Sequence, residues 1–136
     1  NLWARLLEGE RASRSLEYLI TRNTLPDLFS LCGKAMQVDG NFGGAAGIGE
    51  MLIQSYGGEI TLLPALPRAW SDGRVRGIRA RGGFELEFAW KVGKLIAVTV
   101  HSLLGNPCRL RHGGTVKEFA SEPNGIYTFN GNLQLQ

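Results

Sequence analysis

Two periods divide the chain. From Leu2 to Leu52 the apolar positions recur three and four residues apart: Leu2, Trp3, Leu6 and Leu7, then Ala12, Leu16, Leu19 and Ile20, with Arg11, Arg14 and Glu17 between them. That spacing predicts the end of one helix over 2–7 and a second helix over 10–20. A short turn at Glu8-Gly9 folds the two into a helical hairpin. Thr21 to Gln37, with Pro26 and Gly33, reads as a long loop, a kind of segment that often carries function. A third helix is expected over 43–55, with a small-residue face (Ala45, Ala46, Gly49) and an apolar face (Ile48, Met51, Leu52, Ile53). Small residues let another backbone approach closely, so this helix is expected to lie buried among others. Gly57-Gly58 is expected to end it.

After Gly58 the period drops to two. Glu59 to Leu63 reads as a strand, and Leu63-Pro64-Ala65-Leu66-Pro67 as an extended crossing. Short strands follow at 75–80, 84–91, 95–102, 108–111 and 126–129, separated by glycine-rich turns. Phe84, Leu86, Phe88 and Trp90 alternate with Glu85 and Glu87, the pattern of a half-buried strand. The expected fold class is therefore α then β, helices over 1–62 followed by an antiparallel, sandwich-like β domain over 63–136.

Composition adds bounds rather than an answer. The length of 136 residues fits one ordinary domain. The helical pattern starts at once at Asn1, with no Met and no cap, which suggests a piece of a longer polypeptide. A net charge of +3 does not demand nucleic acid as a partner. Arg68, Arg74, Arg76, Arg79 and Arg81 cluster around Trp70, but Asp72, Glu85 and Glu87 beside them favour a solvated strand face over a nucleic-acid or acidic-glycan patch. The two cysteines, Cys32 and Cys108, have no metal-ligand spacing. No apolar run reaches the ~20 residues of a membrane span.

The stretch with the most chemistry is residues 36–56. Val38 to Gly44 reads as a tight polar turn holding one carboxylate, Asp39, just before a helix. By residue type alone Asp39 is a turn or cap residue. Asn41 and Phe42 read, by residue type, as turn geometry and core packing. Gly43 to Gly49 also fits a GxxxGxG phosphate turn, but no Tyr-xxx-Lys pair follows and the later strands look antiparallel, so a dinucleotide site fails on context.

Gln37-Val38-Asp39-Gly40-Asn41-Phe42-Gly43-Gly44, followed by Ala46-Gly47-Ile48-Gly49-Glu50-Met51-Leu52, resembles the QIDGNFGGTAGIAEMLLQS signature of glycoside hydrolase family 95, the inverting α-L-fucosidases and some α-L-galactosidases. Asn1 to Leu6, Gly58 to Pro67 and Arg79 to Phe84 agree in the same order. The resemblance implies the last helices of an (α/α)6 catalytic barrel followed by a C-terminal β domain. It implies that Asp39 lies in the sugar site and polarises an asparagine amide, which activates the attacking water. Asn41 and Phe42, an amide for hydroxyl groups and a ring for an apolar sugar face, are candidates to line that site, the resemblance carrying the motif without a role for each of them. The general-acid glutamate and that asparagine belong to earlier segments of such enzymes, so this chain alone is expected to be catalytically incomplete. The implied partners are a fucosylated oligosaccharide or glycan and the remainder of the parent polypeptide, with no metal, organic cofactor, nucleic acid or membrane. Before the motif the family's His-Pro-Pro-Phe is replaced around Leu31 to Met36, which bears on fine specificity. The alternative expectation is a non-catalytic carbohydrate-binding or scaffold module.

Overall fold

The computed structural model describes residues 1–136 and divides into two compact units, Asn1–Leu52 with Pro64–Pro67 and Ile53–Leu63 with Arg68–Gln136. The first is helical. A short helix α1 (Leu2–Arg5) leads into α2 (Gly9–Arg22), and after the loop comes α3 (Val38–Leu52). Arg11 lies over the Trp3 ring at 4.7 Å, closing the α1–α2 hairpin on its outer side. The loop between α2 and α3 is not featureless. It holds a two-residue ladder of β1 (Leu31–Cys32) against β2 (Ala35–Met36), turned by Gly33 at φ 62°.

Helix α3 differs from the expectation at both ends. It begins at Val38, five residues early, so the Asp-Gly-Asn run is helical rather than a turn. Its glycines cost helix propensity, roughly 1 kcal/mol each against alanine. Close packing offsets that cost: a Cβ at Gly40 would collide with Ser30, and one at Gly44 would press on Leu19 of α2 at 3.1 Å. At the other end Ile53 to Tyr56 leave the helix to form β3 (Ile53–Tyr56), paired with β4 (Glu59–Leu62). Gly57 and Gly58, at φ 62° and 77°, are the two-residue turn of that hairpin and not a helix cap. The small-residue face is also open here: Ala45 and Ala46 are exposed, and Gly47, Met51 and Leu52 are the buried positions.

The β unit holds two four-stranded sheets. One runs β10 (Gly125–Asn130), β7 (Lys94–Ser102), β6 (Phe84–Lys91), β5 (Gly73–Ala80), antiparallel throughout. The other runs β3, β4, β8 (Cys108–His112), β9 (Thr115–Phe119). The β4–β8 pair is parallel, the one exception to the expected antiparallel order. Alternation on β6 buries Phe84, Leu86, Phe88 and Trp90, and Val98, Val100 and Phe129 join them from β7 and β10. Ile60, Leu62, Cys108 and Leu110 are buried from the second sheet, and the Phe119 and Phe129 rings meet across the sandwich at 5.1 Å. Burial pushes the Cys108 thiol up to about 12, whereas Cys32 is exposed, and neither is in a disulfide. No helix is long and apolar enough to cross a membrane.

Candidate active site

The candidate site is the first turn of α3 and the loop that leads into it. Asp39 stands in that turn, where the helix dipole favours a carboxylate. Its side chain is exposed, and no hydrogen bond or ion pair ties the carboxylate to the rest of the chain. It neither caps the helix nor closes a turn. Phe42 lies three residues on, hence on the same face, and is 69% exposed.

Asn41 points the other way and works inside the fold. Its Oδ1 accepts the Ser30 N–H at 2.9 Å and its Nδ2 donates to the Leu28 carbonyl at 2.5 Å. One N–H and one lone pair of the amide are left over. Ser30, 2% exposed, is the hub of this corner: its hydroxyl donates to the Gln37 carbonyl, and its own carbonyl accepts the Gln37 N–H at 2.9 Å. Ser30 and Asn41 thus fix the direction in which the chain enters α3, and with it the place of Asp39. Nothing in the local sequence marks Ser30, because its partners are supplied by chain folding back on itself.

The other carboxylates of the helical unit are differently engaged. Asp27 Oδ1 accepts the Phe29 N–H at 3.1 Å, a local turn. Glu50 is paired with Arg5 at 2.9 Å. Eleven residues of helix put it ~16 Å along the axis from Asp39. An inverting pair needs ~6.5–9.5 Å. A 190 Å³ cavity between α2 and α3 is lined by Leu19, Leu28, Asn41 and Ile48 among others, with Asp39 and Phe42 outside it. No group of three or more His, Cys, Asp or Glu side chains is placed to hold a metal ion.

A helical piece carrying a free carboxylate, joined to a β-sandwich, defines a two-part architecture that comparison with known proteins identifies. Residues 1–52 match the glycosyl hydrolase family 95 catalytic domain, and residues 54–130 match the glycoside hydrolase family 95 C-terminal domain. The chain belongs to glycoside hydrolase family 95. It is 35% identical over 144 residues to a protein named alpha-L-fucosidase 2 from Arabidopsis thaliana, covering 98% of this chain and 17% of that one. It is also similar to proteins named probable alpha-fucosidase A: 35% identical over 104 residues in Aspergillus oryzae and 33% over 101 in Aspergillus niger. Each of those matches covers 65% of this chain. The chain thus spans 13 to 17% of the length of the curated relatives it matches.

Proposed function

We propose that the chain is part of an inverting glycoside hydrolase that removes terminal α-L-fucose, or L-galactose, from glycans. The helical unit then supplies the last helices of an (α/α)6 catalytic barrel, and the β unit is the C-terminal β domain. Asp39 orients and polarises an asparagine amide from another segment, and that amide activates the water attacking the anomeric carbon. Phe42 offers a ring to the apolar face of the sugar, and Asn41, bonded to Ser30 and Leu28, serves the site by holding the turn that presents Asp39 and Phe42. The chain by itself is catalytically incomplete. The general acid comes from elsewhere in the longer polypeptide, since Glu50 is paired with Arg5 and lies far along the helix.

The observation that carries this reading is the state of Asp39. It sits in the segment matching the family's catalytic domain, and its carboxylate has no role in holding the fold. The test is hydrolysis of 2′-fucosylated lactose by the longer polypeptide, wild type against Asp39→Asn, with circular dichroism on both. The expected result is a ~10²–10⁴-fold loss of kcat with an unchanged folded signal, the range of general acid–base assistance. A near-normal rate in the variant overturns the role given to Asp39.

A further inference from the structure

The β unit has a second concave site, at the end of the β3–β4 hairpin. A cavity of about 270 Å³ is lined by Tyr56, Glu59, Arg81 and Arg109, with Phe84 at its floor. A neighbouring hollow of about 410 Å³ shares Gly58, Pro107 and Arg109 with it. Together they form a short trough with charged side chains set in a largely apolar lining. The first volume falls just below the ~300 Å³ at which drug-sized pockets begin. It suits one small ring, and its neighbour has room for the next.

The walls are rigid and charged. Glu59 Oε1 accepts from Arg111 Nε at 2.5 Å, and Oε2 accepts from Arg109 Nε at 2.8 Å and from an Arg111 amino group at 3.0 Å. Arg109 also donates to Glu118. Hydrogen bonds from Arg111 and then Arg109 hold the Glu59 carboxyl down at about 2, so that wall stays anionic. These fixed donors and acceptors suit a ligand bearing hydroxyl groups.

Arg81 is different. Its neighbours on β5 have carboxylate partners, Arg74 and Arg76 sharing Glu87 and Arg79 facing Glu85. Arg81 follows that strand, exposed and without a carboxylate partner, its backbone N–H anchored on Ser55 Oγ at 2.8 Å. Arg109 is set against Glu59 and Glu118, so Arg81 is the guanidinium lining the trough that has no carboxylate partner. An unpaired guanidinium is suited to grip a carboxylate through two parallel hydrogen bonds. Beside it the Tyr56 ring is 54% exposed, a flat apolar surface at the cavity wall.

We infer that this trough binds a saccharide carrying a carboxylate, a uronic-acid residue whose ring lies on Tyr56 and whose carboxylate is taken by Arg81. The site lies wholly in the β unit and does not depend on the role given to Asp39.

The test is titration calorimetry of the full 136-residue chain with a galacturonic acid trisaccharide and with the matching galactose trisaccharide. The expected result is saturable binding of the uronide, about tenfold or more tighter than the neutral sugar. Arg81→Ala brings the uronide down to the neutral sugar's level, Arg81→Lys restores part of the difference, and Tyr56→Ala weakens both. Asp39→Asn binds as the wild type. Absence of saturable binding overturns the inference, as do equal affinities for the two sugars or an Arg81→Ala variant that binds the uronide unchanged. Loss of uronide binding in Asp39→Asn overturns it too, by placing the ligand in the helical unit.

Discussion

In the β unit Phe88, Phe129, Leu86 and Leu110 are all but sealed from solvent. In the helical unit Leu2, Leu6, Tyr18, Leu28 and Phe42 are each more than half exposed. The difference follows from the two periods. A strand of period two has one inner face, and two such faces laid together close a core between them. Helix α3 is apolar or small on nearly every side, a composition found where a helix is covered all round. Helices α1 and α2 cover one side of it, over Gly47 and Met51. The β unit thus closes a core between its own two sheets, although Val92, Leu104 and Ile126 stay exposed. The helical unit instead buries few large apolar side chains, Met51 and Leu52 among them, and presents apolar surface that the proposed barrel would cover.

The comparison breaks if the β core proves soft. Phe88→Ala removes a ring that is 1% exposed at the centre of β6, in ring contact with Trp90 at 6.2 Å. The expected cost is about 3–5 kcal/mol, read as a lower denaturant midpoint of the β unit by Trp fluorescence. A cost below ~1 kcal/mol would mean that this core is not what stabilises the sandwich.

A smaller effect sharpens the same contrast at the rim of the β unit. The folded Glu59 carboxyl sits at about 2 against an ordinary 4.5, held there by Arg111 and Arg109. The depressed value means that the stability it contributes is present above pH ~4.5 and lost as the pH falls towards ~2. Glu59→Gln should therefore cost about 1 kcal/mol near neutral pH, and its stability should change less than the wild type's between pH ~4.5 and ~2. Equal acid profiles for the two proteins would show that the arginine cluster is solvated display. Thermal melts at several pH values decide it.

The β half was the more legible in the sequence for the same reason that it is self-contained. Alternation at Phe84, Leu86, Phe88 and Trp90 announced both a strand and its inner face, and the structure buries those four side chains. Strand β9 was missed because Thr115 to Phe119 has no clean alternation, with Val116 outward and Lys117 half-buried. The parallel β4–β8 pair lay beyond reach, since it joins strands about fifty residues apart and no local pattern encodes a partner. In the helical half, the start of α3 was hidden by Asp-Gly-Asn, residues that favour turns until Ser30 and Leu19 pack against the glycines. Asp39 stood out by its likeness to a family motif and not by its residue type. The Ser30 hub left no trace, because a buried serine is recognised only by what it bonds.

The smallest expected effect separates fold from site most sharply. Phe42→Ala removes the same ring as Phe88→Ala, but from a position 69% open to solvent on the face of Asp39. In this chain it should change stability by no more than ~0.5 kcal/mol, as surface substitutions do. The denaturant midpoint of the helical unit, followed by helical circular dichroism, gives the number. In the longer polypeptide the same substitution should raise KM for a fucosylated oligosaccharide while the chain stays folded, because the ring is proposed to meet the sugar. A large loss of stability in the isolated chain would make Phe42 part of its packing. An unchanged KM would remove it from the sugar site and leave Asp39 as the functional group of that face.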